Sequence, residues 1–302
     1  MRRLLQIADL FLAIESDGLP WDFTGTPHQR FEVGQGDADA RTKVHWHSVP
    51  RQKLGEEIWT ITNVSSELPP TCRLYRDREG LWSIHVHDLP STPFRQRVAV
   101  FGPDFAEGDL YVELREPKPP SPLRYPACPP LDRAWFVHLL AQGGGILLHA
   151  CGVVHEGSGY LFAGRSGAGK TTLARLWLAD PNATVLGEES LALRRKGSQF
   201  WMYGTPWIGE SGAFSPAGAP LRGIYFISHA SDHFLQPLPM ERAVERLLAH
   251  SFLPTYDPAV ASRGLDFCLD LVQEVPAYLF GFRPDASAVQ FMGERGGRER
   301  AP

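Results

Sequence analysis

Nine residues constrain this chain more than any others. Residues 164–172 read G-R-S-G-A-G-K-T-T. Y-L-F-A stands directly before them and T-L-A-R-L-W-L-A overlaps and follows. The first flank is a short apolar run with the aromatic character of a buried strand, and the second has the spacing of an amphipathic helix. Gly164 to Thr171 fits G-x-x-x-x-G-K-[ST], so a strand, a glycine-rich loop and a helix follow one another as a phosphate-cradling loop requires. Glycines let successive N–H groups converge on phosphate oxygens. The helix adds the positive end of its dipole. The expectation is a purine-nucleotide site built from Gly164, Arg165, Ser166, Gly167, Ala168, Gly169, Lys170, Thr171 and Thr172. Lys170 would carry a mobile charge to the β- and γ-phosphates, and the Thr171 hydroxyl would ligate Mg²⁺. Arg165 is either a further γ-phosphate contact or a solvent-facing side chain.

The remainder of the chain sorts into regions around this centre. Residues 1–116 are β-rich: L-W-S-I-H-V-H-D, R-V-A-V-F-G and D-L-Y-V-E-L alternate or carry β-branched and aromatic residues. Residues 117–130, P-K-P-P-S-P-L-R-Y-P-A-C-P-P, hold too much proline for a helix or central strand and predict an extended connector. Residues 131–292 form the second domain. It opens on a helix from Leu131 that Gly143 to Gly145 end, and I-L-L-H-A-C-G-V-V-H follows as one strand. A-T-V-L-G is a short strand, and S-L-A-L-R-R is expected to continue it. Met240 to Leu253 predicts an amphipathic helix with Ala243, Leu247, Leu248 and Phe252 as its apolar stripe. Residues 293–302 predict a disordered tail. The fold class is α/β, a mixed sheet with a β-rich N-terminal region.

Composition narrows the classes of partner. A net charge of −4 over 302 residues argues against broad nucleic-acid or anionic-membrane binding. No apolar run reaches the ~20 residues of a membrane span. In M-R-R-L-L-Q-I-A-D-L-F-L-A-I the polar Gln6 and Asp9 interrupt what would otherwise resemble a leader, so a first strand or short helix is expected. Cys72, Cys128, Cys151 and Cys268 are scattered with no C-x-x-C pair, which predicts free thiols and a cytoplasmic setting. His45 with His47, and His85 with His87, could each pinch a metal from one strand face, but no partner ligand accompanies either pair. Trp201 and Trp207 bracket Y-G-T-P, as residues that stack on a base, shape the acceptor groove or pack in the core.

The stretch L-L-H-A-C-G-V-V-H-E-G-S-G-Y-L-F-A-G-R-S-G-A-G-K-T-T resembles the core of HPr kinase/phosphorylase. It is more similar still to HPr-kinase-like proteins found beside peptide-modification genes, some of which are serine kinases for precursor peptides. G-T-P-W-I-G-E-S-G and A-P-L-R-G-I-Y-F-I belong to the same likeness, which covers about residues 120–292. The resemblance implies a fold related to phosphoenolpyruvate carboxykinase, with ATP and Mg²⁺ as cofactors. It implies that His149 is an active-site histidine. It places Glu188 and Glu189 where the family has two aspartates, one of them the base towards the acceptor serine, and it makes Glu210 a candidate for holding Mg²⁺. Arg222 is a weaker charge-stabilising candidate. The change from aspartate to glutamate keeps the charge but lengthens the side chain by one methylene. General-base geometry allows only about 2.6–3.2 Å to the proton donor, so the backbone must compensate. One extra residue between Lys170 and Glu188 offers such an adjustment. The family's further loop for dephosphorylation and HPr docking has no counterpart after Glu210. The implied activity is transfer of a γ-phosphoryl group to a hydroxyl, most simply the serine of a peptide or protein partner. A nucleotide-binding scaffold with little turnover and a small-molecule kinase are the alternatives, and homo-oligomerisation stays open.

Overall fold

The computed structural model describes residues 1–50, 55–61, 72–117 and 122–296. The chain divides into two compact units, residues 1–139 and 140–302. Among the described residues no helix is long and apolar enough to cross a membrane, and all four cysteines are free thiols.

The first unit is built on a nine-stranded sheet. Its centre is three parallel strands, Leu10–Ser16, Ala40–Trp46 and Glu107–Leu114. Antiparallel neighbours extend it on both sides. The N-terminal run that resembled a leader is a hairpin. Arg2–Ile7 pairs with Leu10–Ser16, and Ala8 and Asp9 turn the chain at φ 52° and 58°, as a tight two-residue hairpin demands. The described part of the proline-rich stretch is folded into this unit: Leu123–Arg124 pairs with Trp21–Asp22, and Leu123, Tyr125 and Ala127 are buried. Backbone carbonyls that proline-rich chain cannot place in a ladder need other donors. Arg97, fully buried, supplies them. Its Nη1 donates to the carbonyls of Pro126 at 3.0 Å and Cys128 at 2.7 Å, while Nε and Nη2 grip Asp88 at 2.8 Å each. The helix Leu131–Gln142 follows, and the division between the units falls inside it.

The second unit holds another nine-stranded mixed sheet with helices on both faces. The long strand Gly218–His229 organises it. Its first residues pair antiparallel with Gln199–Tyr203. Its later residues lie parallel between Ser158–Ala163 and Ala277–Phe282. Alternate side chains enter opposite cores, as strand geometry dictates. Leu161, Ala163, Ile224 and Phe226 face the core that includes Ala243, Leu247, Phe267 and Leu271 of the helices Met240–Ala249 and Pro258–Glu274. Tyr160, Phe162, Tyr225 and Ile227 face the core that includes Leu173, Trp177, Ala288 and Met292 of the helices Lys170–Trp177 and Ser287–Gly296. Burial on both faces explains why these strands read as unbroken apolar runs.

Four expectations need correction. I-L-L-H-A-C-G-V-V-H is two strands, Gly145–Leu148 and Ala150–His155, because Leu148 pairs with Leu191 and Ala150 with Ala163. Leu191–Lys196 does not extend Ala183–Gly187 but pairs with Gly145–Leu148 and Gln199–Tyr203. The helix from Met240 ends at Ala249 rather than Leu253, since the Phe252 N–H leaves it to donate to the Leu147 carbonyl at 2.8 Å. Residues 293–296 belong to a helix instead of a tail. Gln290 bonds Glu294 at 3.0 Å and Arg295 lies over Phe291. The rest of that tail, 297–302, is outside the described residues.

Candidate functional site

Three parallel strands end side by side at Ala163, His229 and Phe282, and open α/β sheets place ligands at such carboxyl ends. The glycine-rich loop leaves the first of these ends and enters the helix Lys170–Trp177. Gly169 caps that helix at φ 103°. A Cβ there would stand 2.8 Å from Phe282 Cζ and 3.2 Å from His229 Cε1, so both backbone and packing demand glycine. The Lys170 ammonium folds back over the loop, donating to the carbonyls of Gly164 at 2.7 Å and Arg165 at 3.3 Å. Burial lowers its pKa, with Glu189, Cys151 and Glu188 opposing the shift. Its charge is thus held in a partly desolvated place, where an incoming anion interacts strongly.

The structure brings the predicted side chains to one cavity of about 390 Å³. Ser166, Gly167, Gly169, Lys170, Thr171 and Thr172 line it from the loop side. His149, Glu188, Glu189 and Glu210 line it from elsewhere. The glutamates stand just after the strand Ala183–Gly187, and their environments differ. Glu188 is 3% exposed. Its Oε1 accepts the Ser211 N–H, and its Oε2 is buried with no hydrogen-bond partner. The turn at Gly209 closes on it so tightly that a Cβ would stand 2.7 Å from Glu188 Cγ. Glu189 is half-buried. Its carbonyl lies 2.9 Å from His149 Nδ1 and its carboxylate 3.4 Å from the same nitrogen. A carbonyl only accepts, so Nδ1 carries the proton and donates it to the Glu189 carbonyl. His149 itself sits at the bend between its two strands, its N–H donating to the His250 carbonyl at 2.8 Å.

The remaining candidates disperse. Gly164, Arg165 and Ala168 line a second, larger cavity on the other side of the loop, which Ser166 and Gly167 share. Arg222, Trp201 and Trp207 line neither cavity. Trp207 is buried, while Trp201 stacks on Tyr203 beneath Lys196. In the first unit His45 pairs with Asp109 at 2.6 Å. Among the described residues no three His, Cys, Asp or Glu side chains are grouped to hold a metal ion. A magnesium ion beside nucleotide phosphates does not need such a cage, because one or two protein oxygens, phosphates and waters complete its octahedron. The orphaned Glu188 oxygen fits that demand. Sequence reasoning missed His229, which lines both cavities and whose Nε2 lies 3.1 Å from the Gly167 carbonyl. Only the parallel pairing of its strand with Ser158–Ala163 brings it there.

No protein-family model matches the chain, and no curated protein matches it. Among solved structures it is similar to the Hpr(Ser) kinase/phosphatase from Coxiella burnetii. The likeness has 12% sequence identity and a TM-score of 0.31, over 51% of this chain and 99% of that one.

Proposed function

We propose that this chain is a phosphotransferase that moves the γ-phosphoryl group of ATP, held with Mg²⁺, to a hydroxyl acceptor, the serine of a peptide or protein. The observation that carries the reading is the meeting of Lys170, Thr171, His149, Glu188 and Glu189 around one small cavity at the loop. In such a transfer the bond from the γ-phosphorus to the bridging oxygen breaks and a bond to the acceptor oxygen forms. The acceptor's proton passes to a carboxylate. Positioning and electrostatics do most of the catalysis.

The two glutamates divide the work by their surroundings. Glu189, half-buried and beside His149, is the base: it is open to an acceptor, and His149 steadies its backbone. Glu188, with one oxygen tied to Ser211 and the other unpartnered, would hold Mg²⁺ together with Thr171 and Glu210. When bound, Mg²⁺ supplies charge neutralisation across the phosphates. Lys170 exchanges its two carbonyl partners for phosphate oxygens.

The test is incubation with Mg²⁺, ATP and a pool of serine-containing peptides, read by mass spectrometry for a phosphate adduct. Glu189→Gln is expected to keep nucleotide affinity within twofold and to lower transfer by about 10²–10⁴-fold, the range of general-base catalysis. Transfer at the unaltered rate in Glu189→Gln removes the base assignment. Absence of any adduct from the unaltered protein across serine, threonine and tyrosine acceptors refutes the transferase reading.

A further inference from the structure

The larger cavity, about 690 Å³, lies against Gly164 to Ala168 and is separate from the lining formed by Lys170, Thr171 and Thr172. Its floor is apolar, with Phe226, Ile227 and Leu238. Its rim is cationic. Arg242 and Arg246 stand four residues apart on the helix Met240–Ala249, which buries Ala243, Val244 and Leu247 on its other side. Residues so spaced share one helix face. The Arg246 guanidinium lies 5.6 Å over the Phe226 ring, and among the described residues it has no carboxylate partner. Arg242 bonds Glu245 at 2.8 Å. With Arg165 also lining the cavity, three arginines meet a single glutamate there. His250, whose Nδ1 lies 2.7 Å from the Arg246 carbonyl, completes that wall.

Two features decide what such a cavity takes. Three arginines against one glutamate leave guanidinium charge over, with Arg246 lacking a carboxylate partner among the described residues, and carboxylates match that planar fork. The wall between the two cavities is only the loop tip, Ser166 and Gly167, with His229 behind it. An extended chain advances about 3.3 Å per residue, so a peptide crossing that tip reaches both cavities within a few residues. Resting on the transferase reading above, we infer that the larger cavity receives acidic side chains of the acceptor peptide, within about three residues of the serine, and so selects acidic acceptors.

The experiment separates this inference from the transfer reaction. Two sets of fluorescent serine-centred peptides, one with Asp and Glu at the flanking positions and one with Asn and Gln, are titrated with the full chain and read by anisotropy. A labelled ATP analogue is titrated in parallel. The acidic set is expected to bind about tenfold more tightly at low salt, in line with charge pairs at a partly exposed surface. The preference should shrink below about twofold in Arg242→Glu/Arg246→Glu, with nucleotide affinity unchanged. Both side chains are exposed, and Arg242→Gln/Arg246→Gln, expected to give an intermediate preference, controls for damage by charge reversal. Equal binding of the two sets to the unaltered protein overturns the inference, as does an acidic preference that survives charge reversal. Loss of nucleotide affinity in the glutamate variant also overturns it, by making the cavity part of the nucleotide site. If the acidic preference disappears on charge reversal but no peptide acquires phosphate, the acid-binding cavity stands and the transferase reading falls.

Discussion

Replacing Gly169 by alanine tests the loop's architecture at its tightest point. Two costs arise there. The backbone sits at φ 103°, a left-handed conformation that costs a residue with a Cβ about 1–2 kcal/mol. The added methyl also stands 2.8 Å from Phe282 Cζ and 3.2 Å from His229 Cε1. Phe282 is fully buried and stacks on Phe280 with ring centroids 5.5 Å apart, so it cannot swing aside. Overpacking of that kind costs a further ~1–3 kcal/mol. Gly169→Ala should therefore lose about 2–5 kcal/mol. Gly167→Ala is the internal control: its φ is 79°, but nothing lies within 4 Å of its Cβ, so only the backbone cost of about 1–2 kcal/mol applies. The assay is urea unfolding, following the transition that Mg²⁺ and ATP shift, with calorimetric titration of ATP on each variant. If the loop relaxes to escape the clash, stability recovers and ATP affinity drops instead. Gly169→Ala with both stability and ATP affinity intact would refute the reasoning, and so would equal losses in the two variants.

Three further outcomes follow from the same geometry. Lys170→Met should weaken ATP binding by about 10–100-fold, the worth of a charge-assisted hydrogen bond of about 1.5–3 kcal/mol; unaltered affinity by calorimetry removes the phosphate-loop assignment. Arg97→Met should destabilise the first unit by about 3–5 kcal/mol in chemical unfolding, because Asp88 loses its bidentate partner inside the fold. Arg97→Lys should recover little, since an ammonium cannot copy the fork. His85 is pulled from 6.5 down to about 4, chiefly by burial and then by His87 and Arg73. The unfolded chain therefore binds the extra proton first, and stability should fall by up to about 3 kcal/mol as pH drops from about 6.5 to about 4. His85→Phe should flatten that slope in pH-dependent melting.

What sequence could reveal tracked how local each feature was. The strand, loop and helix around Lys170 are contiguous, and their signals lie within twenty residues, so their arrangement was readable. The strand Gly218–His229 is legible only in part: G-I-Y-F-I-S is an apolar run of strand length, while the full span, which joins an antiparallel half to a parallel half, depends on partners far along the chain. The helix Pro258–Glu274 carried clear start signals, with Asp257 accepting from Ala259 and Val260 ahead of Pro258. Its polar and apolar residues nevertheless left it unassigned. The proline-rich stretch misled in a different way. Its proline density pointed to an extended connector, but nothing nearby announced the short strand Leu123–Arg124 or that Arg97 would satisfy the carbonyls of Pro126 and Cys128.

The candidate site shows the same limit at the scale of single residues. His149 lies between two apolar strands that periodicity joins into one, and the break exists because its N–H is claimed by the His250 carbonyl, a hundred residues away in sequence. That break has a consequence for chemistry. A strand continued through residue 149 would carry its backbone in regular pairing, whereas the bend turns the imidazole to the Glu189 carbonyl and carboxylate. The separation of Ala183–Gly187 from Leu191–Lys196 works in concert, leaving Glu188 and Glu189 at a junction between strands that serve different partners. Two breaks in otherwise continuous apolar patterns thus deliver the polar groups of the cavity. The irregular positions are where local propensity yields to long-range pairing, and here they carry the polar side chains that line the cavity.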